Sequence, residues 1–267
     1  MKSISGMSVA EIIDGFGDIA DLLIEHNIVG FKQLNPTVEE QQEIVNQVFA
    51  HGLVAGREIT TVYEDVDKIV NETFLNKSTV RDFVRGNWHQ DNTDEKRVPA
   101  YLSLHMTTYK CPGSEVGNTV YVDLEELYKR CPAEILEYLT TVNVRHVSKN
   151  TEPDGTVGSA FRTHPVTGVT SLYYSSPEMI PEKGMTPEFE GYLTWLSEQT
   201  NDLDNQQMWQ WDQGDLVIWD NRNQIHSITG GWEIGDRIFN RCLTGDEMPF
   251  YRDTPAGEGI RPTQEHV

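Results

Sequence analysis

Gly214-Asp215-Leu216-Val217-Ile218-Trp219-Asp220-Asn221-Arg222-Asn223-Gln224-Ile225-His226 is the stretch on which the architecture turns. Gly214-Asp215 is a turn signal, and Leu216-Val217-Ile218-Trp219 then reads as a strong strand. Asp220 to Asn223 form a polar loop that delivers His226 to the mouth of a core. Downstream, Arg237-Ile238-Phe239-Asn240-Arg241-Cys242-Leu243 alternates, so Arg237, Phe239, Arg241 and Leu243 share one face of a strand. Far upstream, Asn87-Trp88-His89-Gln90-Asp91 holds a His-x-Asp pair whose side chains point the same way if the segment is extended.

Other segments sort around these. Val9, Ile12, Ile13, Phe16, Ile19, Leu22 and Leu23 carry helical periodicity over residues 8–27, with Ser8 and Glu11 spaced as a capping box. Ile28 to Phe31 reads as a short buried strand, and Pro36-Thr37 opens a second helix that Gly52 is placed to stop. Strands are expected at Tyr101–Thr107, at Thr119–Asp123, within residues 144–175 and within 213–245. Helices are expected around 124–129, 133–141 and 187–200, while residues 56–87 read as strand or loop. Helices early and between strand blocks predict a mainly β protein, a sandwich or barrel with helices packed outside it. A single domain over 1–267 is expected, with a largely helical part to about residue 55 and a tail from about 253.

The net charge of −21 argues against a nucleic-acid partner and against an anionic membrane surface. Three cysteines, Cys111, Cys131 and Cys242, show no metal-type spacing and fit a reducing compartment. The first 31 residues hold no apolar segment with a cleavage site, and no stretch approaches the ~20 apolar residues of a membrane span. A cytoplasmic protein acting on a small molecule is the expectation, with a homo-oligomer left open.

Two imidazoles and one carboxylate, His89, Asp91 and His226, make the facial triad used by non-haem Fe(II) oxygenases. Arg237 and Arg241 on one strand face suggest anions, because arginine forks carboxylates and is costly to bury unpaired. The plainer reading pairs both with protein carboxylates. His105 lies in an apolar strand and reads as a satisfied core histidine, and His146 and His164 also read as structural. A catalytically silent binding protein and a metal-dependent hydrolase or isomerase are the competing readings.

With these residues in hand, the chain resembles the taurine dioxygenase (TauD/TfdA) family of Fe(II)/2-oxoglutarate-dependent oxygenases. The resemblance is carried, in order, by Asn87–Asp91, by Pro112-Gly113 with Gly117-Asn118-Thr119, and by Arg162-Thr163-His164-Pro165-Val166-Thr167-Gly168. It continues through Gly214–His226, Arg237, Arg241, Gly245-Asp246 and Pro249-Phe250-Tyr251-Arg252. It implies a double-stranded β-helix (jelly-roll, cupin-like) core with flanking helices. It implies Fe(II) on His89, Asp91 and His226, and O2 as oxidant. It implies 2-oxoglutarate on that iron, its distal carboxylate met by Arg237 with Thr119 as second partner. It places Arg241 on an anionic group and Asn87 near the substrate mouth. Two departures concern the substrate. Leu172-Tyr173-Tyr174-Ser175-Ser176 lacks the asparagine common in the family, and no His-Pro motif stands between 51 and 66. Arg85 is then a candidate for a different substrate anchor.

Overall fold

The computed structural model describes residues 1–51, 60–66, 88–95, 97–147, 155–174, 179–233, 235–244, 249, 251–252 and 260–261. In chain order these form β1 (Lys2–Ile4), α1 (Val9–Asp14), α2 (Phe16–His26), β2 (Ile28–Phe31), α3 (Val38–His51), β3 (Thr60–Val66), β4 (Tyr101–Tyr109) and β5 (Thr119–Asp123). Next come α4 (Leu124–Arg130), α5 (Ala133–Leu139), β6 (Asn143–His146), β7 (Thr156–Ser159), β8 (Phe161–Thr163), β9 (Thr170–Leu172), β10 (Met179–Pro181) and α6 (Pro187–Asn201). The remainder is β11 (Gln206–Trp209), β12 (Leu216–Asp220), β13 (Gln224–Ile228), β14 (Arg237–Thr244), β15 (Tyr251–Arg252) and β16 (Ile260–Arg261).

A six-stranded sheet runs β1-β2-β12-β4-β14-β3, and a three-stranded sheet runs β11-β5-β13. The apolar run on β12 is continuous because both its faces are covered, as buried strands require. Val217 and Trp219 pack with Ile28, Leu102, Leu104, Phe239 and Leu243 against Tyr121, Trp209 and Trp211 of the smaller sheet and its flank. Leu216 and Ile218 point the other way, joining Val29, Phe31 and Cys242 beneath Ile12, Ile19, Leu23, Ile44, Val45 and Val48 of α1–α3. Beyond the smaller sheet, Val120, Val122 and Ile225 pack on Leu124, Leu127, Leu139, Phe189, Tyr192 and Leu196 of α4–α6. The result is a mostly β protein with helices outside its sheets, as expected.

Local chemistry explains the points of difference. The capping box forms: Ser8 Oγ accepts from Glu11 N at 3.3 Å, and Glu11 Oε2 accepts from Ser8 N at 2.7 Å. The single helix expected over 8–27 is instead two, because Gly15 ends α1 and begins α2. Asn27 closes α2 in the left-handed region (φ 62), donating its N–H to the Leu23 carbonyl. The N-terminal part is therefore helical with β1 and β2 threaded through it, β1 pairing parallel to β2. β10 and β11 were not anticipated; Gln206-Gln207-Met208-Trp209 carries little apolar alternation. The expected stop at Gly52 lies outside the described residues.

Candidate metal and anion site

The polar loop between β12 and β13 is held from below by a buried ionic knot. Asp220 accepts from Arg222 Nε at 2.8 Å, from the Arg222 backbone N at 2.9 Å, and lies 3.0 Å from His164 Nε2. His164 Nδ1 accepts from the backbone N–H groups of Val166 and Thr167, both at 3.2 Å, so Nε2 carries the proton given to Asp220. Burial alone would raise the Asp220 carboxyl, but the Arg222 and His164 charges and hydrogen bonds hold it well below the usual carboxylate range. The Arg222 guanidinium covers the Tyr101 ring at 4.5 Å. His164 is structural, as the sequence suggested.

This loop sets the candidate ligands side by side. His89 N donates to the His226 carbonyl and His226 N to that of His89, both at 3.0 Å, a closed antiparallel pair between segments far apart in the chain. The two rings lie 4.3 Å apart by centroid. Asp91 Oδ1 lies 3.1 Å from His89 Nε2 and 3.9 Å from His226 Nε2. One ligand atom from each of the three residues fits within 4.8 Å of the others, so the group could hold a metal ion. Donors bound at right angles by bonds of about 2.1 Å would sit about 3 Å apart, which matches the Asp91–His89 distance and is shorter than the 3.9 Å between Asp91 and His226.

Arg241 Nη1 lies 3.3 Å from the second oxygen, Asp91 Oδ2, and its side chain stays 29% exposed. Arg241 thus pairs with a protein carboxylate, as the plainer sequence reading had it, and its side chain is partly exposed. Burial would raise the Asp91 carboxyl, but the His89 hydrogen bond and the charges of Arg241, His226 and His89 hold it far below its ordinary range. His226 is pushed down to about 3 by burial and by the His89 charge, so its ring is neutral and able to offer a lone pair. Between the ligands, Gln90 points to the opposite side, as alternation demands. Its Nε2 donates to the Asn221 carbonyl at 2.7 Å, and its Oε1 accepts from Tyr174 N at 3.0 Å. Asn221 Oδ1 accepts from Asp91 N at 3.0 Å, while its Nδ2 donates to the carbonyls of Asp91 (3.1 Å) and Pro99 (3.2 Å).

Arg237 and Thr119 face the space between the sheets. The β5–β13 register sets Tyr121 opposite His226 and Thr119 opposite Ile228, so Thr119, Tyr121 and His226 share a face. Thr119 Oγ1 accepts from Trp211 Nε1 at 3.0 Å, which leaves the hydroxyl its own proton to donate. Arg237 is buried, its guanidinium 5.0 Å from the Phe239 ring and 5.8 Å from Trp232. Gly117 (φ +64) keeps that corner open, since a Cβ there would come 3.0 Å from Arg237 Cδ and 3.2 Å from Trp232 Cδ1. Burial pushes Tyr109 up to about 12 and raises Tyr121 as well, with the Arg237 charge opposing both. The Tyr121 ring stands 5.6 Å from Trp219 and 6.1 Å from His226, linking the arginine corner to the histidine pair.

Arg85 and Asn87 lie outside the described residues. His105 is buried as expected, yet among the described residues neither ring nitrogen has a hydrogen-bond partner, in contrast to the satisfied core histidine expected. Burial lowers it, so the ring stays neutral, and the neighbouring Asp215 charge only partly opposes this. His146 likewise has no hydrogen bond from its ring among the described residues; it is buried against Tyr173 at 4.6 Å and pushed down to about 4 by burial. Gln90, Asn221 and Tyr121 were not singled out from the sequence. Alternation of Gln90 between two ligands was the available signal for the first.

Two histidines and an aspartate gathered on a mostly β scaffold are the donor set that non-haem metal oxygenases use. The sequence matches the taurine catabolism dioxygenase TauD, TfdA family over residues 3–243, and the chain belongs to that family. It is a family of oxidoreductases that use Fe(II), 2-oxoglutarate and O2. One relative is an alpha-ketoglutarate-dependent sulfonate dioxygenase of Saccharomyces cerevisiae, 28% identical over 55% of this chain. That match covers 39% of the yeast protein's length. An alkylsulfatase of Acinetobacter baylyi is 23% identical over 92% of this chain and 82% of its own. A solved taurine dioxygenase from Burkholderia xenovorans superposes with a TM-score of 0.68 at 20% identity, covering 96% of this chain and 90% of that one. Among the described residues, no helix is long and apolar enough to cross a membrane.

Proposed function

We propose that this chain is an Fe(II)/2-oxoglutarate-dependent dioxygenase whose iron is held by His89, Asp91 and His226. The observation that carries this is the donor set itself: two imidazoles and a carboxylate on a closed strand pair, one imidazole kept neutral by burial. The reading takes the two sheets as a double-stranded β-helix (jelly-roll, cupin-like) core in one domain spanning 1–267. When bound, the iron and co-substrate supply oxidation of a C–H bond coupled to conversion of 2-oxoglutarate and O2 to succinate and CO2.

The protein's part is to bind, orient and exclude water. Arg237 takes the distal carboxylate of 2-oxoglutarate in a corner lined by Trp232 and Phe239, where low dielectric strengthens the pairing. The Thr119 hydroxyl, already accepting from Trp211, donates its proton to the same carboxylate. Arg241 keeps Asp91 ionised and turns its exposed side toward an anionic substrate, with Arg85 and Asn87 assigned to the substrate side from sequence. The substrate is a small anionic molecule acted on by hydroxylation. The sulfonate and sulfate-ester chemistry named for relatives makes a sulfo group the first choice of anion.

Anaerobic addition of Fe(II) and 2-oxoglutarate should give a visible metal-to-ligand charge-transfer band. Its decay on admitting O2 should quicken with one member of a panel of sulfonates, sulfate esters and carboxylates, with succinate formed in step. Bound iron without the band would remove 2-oxoglutarate from the account.

A further inference from the structure

Asp91 is held by more than its own side chain. Its backbone N–H and carbonyl are both bonded by the single side-chain amide of Asn221, and that amide's second N–H goes to Pro99. The return contact comes from Gln90, whose amide donates to the Asn221 carbonyl. The Asn221 backbone N in turn donates to the Ala100 carbonyl at 2.8 Å. Gln90 and Asn221 are fully buried, so water cannot replace a lost bond. No other side chain of this size can do the same. A carboxylate has no donor for the Asp91 and Pro99 carbonyls, and a hydroxyl is too short to span the N–H and carbonyl of one residue.

We propose that Asn221 and Gln90 form a crossed amide pair that positions Asp91, setting where its carboxylate stands relative to the two histidines. They are positioning residues, since neither reaches the donor atoms. This rests on Asp91 being a metal ligand. Partners that orient a ligand in this way typically contribute 10–100-fold to metal affinity. The ionic knot of Asp220, Arg222 and His164 beneath the loop gives Asn221 a fixed base from which to act.

The test is Co(II) titration of the full chain, read by affinity and by the visible d–d bands, which respond to coordination number and symmetry. Asn221→Ala should bind Co(II) about 10–100-fold more weakly, with altered bands. Gln90→Met should move both in the same direction by less, and it carries the test if Asn221→Ala fails to fold by circular dichroism. Thr186→Ala, which removes the cap of α6, is the control for loss of stability alone and should keep the wild-type affinity and spectrum. Wild-type affinity and bands in the folded amide variants, or an equal loss in Thr186→Ala, would overturn the proposal. Failure of the underlying metal reading looks different: Asp91→Ala would then bind Co(II) as wild type does.

Discussion

Replacing Gly30 with alanine should destabilise the protein by about 2–4 kcal/mol, although the backbone there tolerates any residue. Gly30 sits in β2 beneath the Trp209 ring, and an added Cβ would lie 2.3 Å from both Cη2 and Cζ3. Ordinary carbon contacts are about 3.5–4.0 Å, so the ring would have to retreat by more than about 1 Å. It is poorly able to do so. Trp209 Nε1 donates to Asp215 Oδ2 at 3.1 Å, and Lys32 Nζ stands over the ring at 4.7 Å. Asp215 is itself fixed by Lys32 at 2.8 Å, by Gln33 N at 2.9 Å and by Asp212 N at 2.9 Å. Overpacking costs about 1–3 kcal/mol and a weakened bond to a charged acceptor about 1.5–3, offset by about 0.4–1 from the stiffer unfolded chain; these bracket about 1.5–5.5 kcal/mol, with about 2–4 the middle of the range. For a chain of this size that is a fall in Tm of roughly 5–15 °C. Thermal and urea unfolding by circular dichroism would measure it. The double variant with Trp209→Phe should recover part of the loss, a positive coupling in the cycle. Wild-type or higher stability in Gly30→Ala would refute the steric argument.

Arg237→Ala should raise the KM for 2-oxoglutarate by about 30-fold or more while Fe(II) affinity holds, since removing one partner of a buried charge pair costs about 2–5 kcal/mol. Unchanged 2-oxoglutarate turnover would show that the carboxylate is held elsewhere. Asp220→Asn should cost about 3–5 kcal/mol in unfolding free energy by leaving Arg222 buried against an amide; a loss under 1 kcal/mol would mean the knot is dispensable. Acid stability should fall in two stages. The folded-state pKa of His146 lies near 4, below its ordinary 6.5, so only the unfolded chain takes up this proton between those values. Stability is therefore lost as pH falls through that window, by about 3 kcal/mol from this ring, and His146→Phe should flatten that part of a urea-midpoint profile. Asp220, depressed when folded, contributes fully above its ordinary 3.8 and its share is lost as pH falls below it. An unaltered profile in His146→Phe would place the acid sensitivity elsewhere.

The strands that build the site were legible because their chemistry repeats at short range. Leu216–Trp219 and Tyr101–Leu104 announce themselves by composition, and the alternation from Arg237 to Leu243 places both arginines on one face. His89, Asp91 and His226 were recognisable by residue type and by the motifs around them, and the closed backbone pair of His89 with His226 is consistent with that choice. Other features were not legible for definite reasons. β1 is three residues long and owes its existence to β2, a partner with no local trace. The break at Gly15 depends on one residue inside an otherwise helical pattern. That the rings of His105 and His146 have no hydrogen bond among the described residues follows from what surrounds them in space, which periodicity does not report. Asn221 stood inside a recognised motif, but its role depends on the peptide it grips 130 residues away.

That separation has a consequence for how the protein is made. Gln90 meets Asn221 across 131 residues, and His89 meets His226 on a strand, β13, that itself pairs with β5. A growing chain emerging from the ribosome therefore displays His89 and Asp91 long before any third donor exists. Two donors without a third make a weak, exchangeable perch for any passing divalent ion. With His226 as the proposed third ligand, durable loading would wait until synthesis had passed β13, and selection of the metal would fall to the finished protein and not to the nascent one.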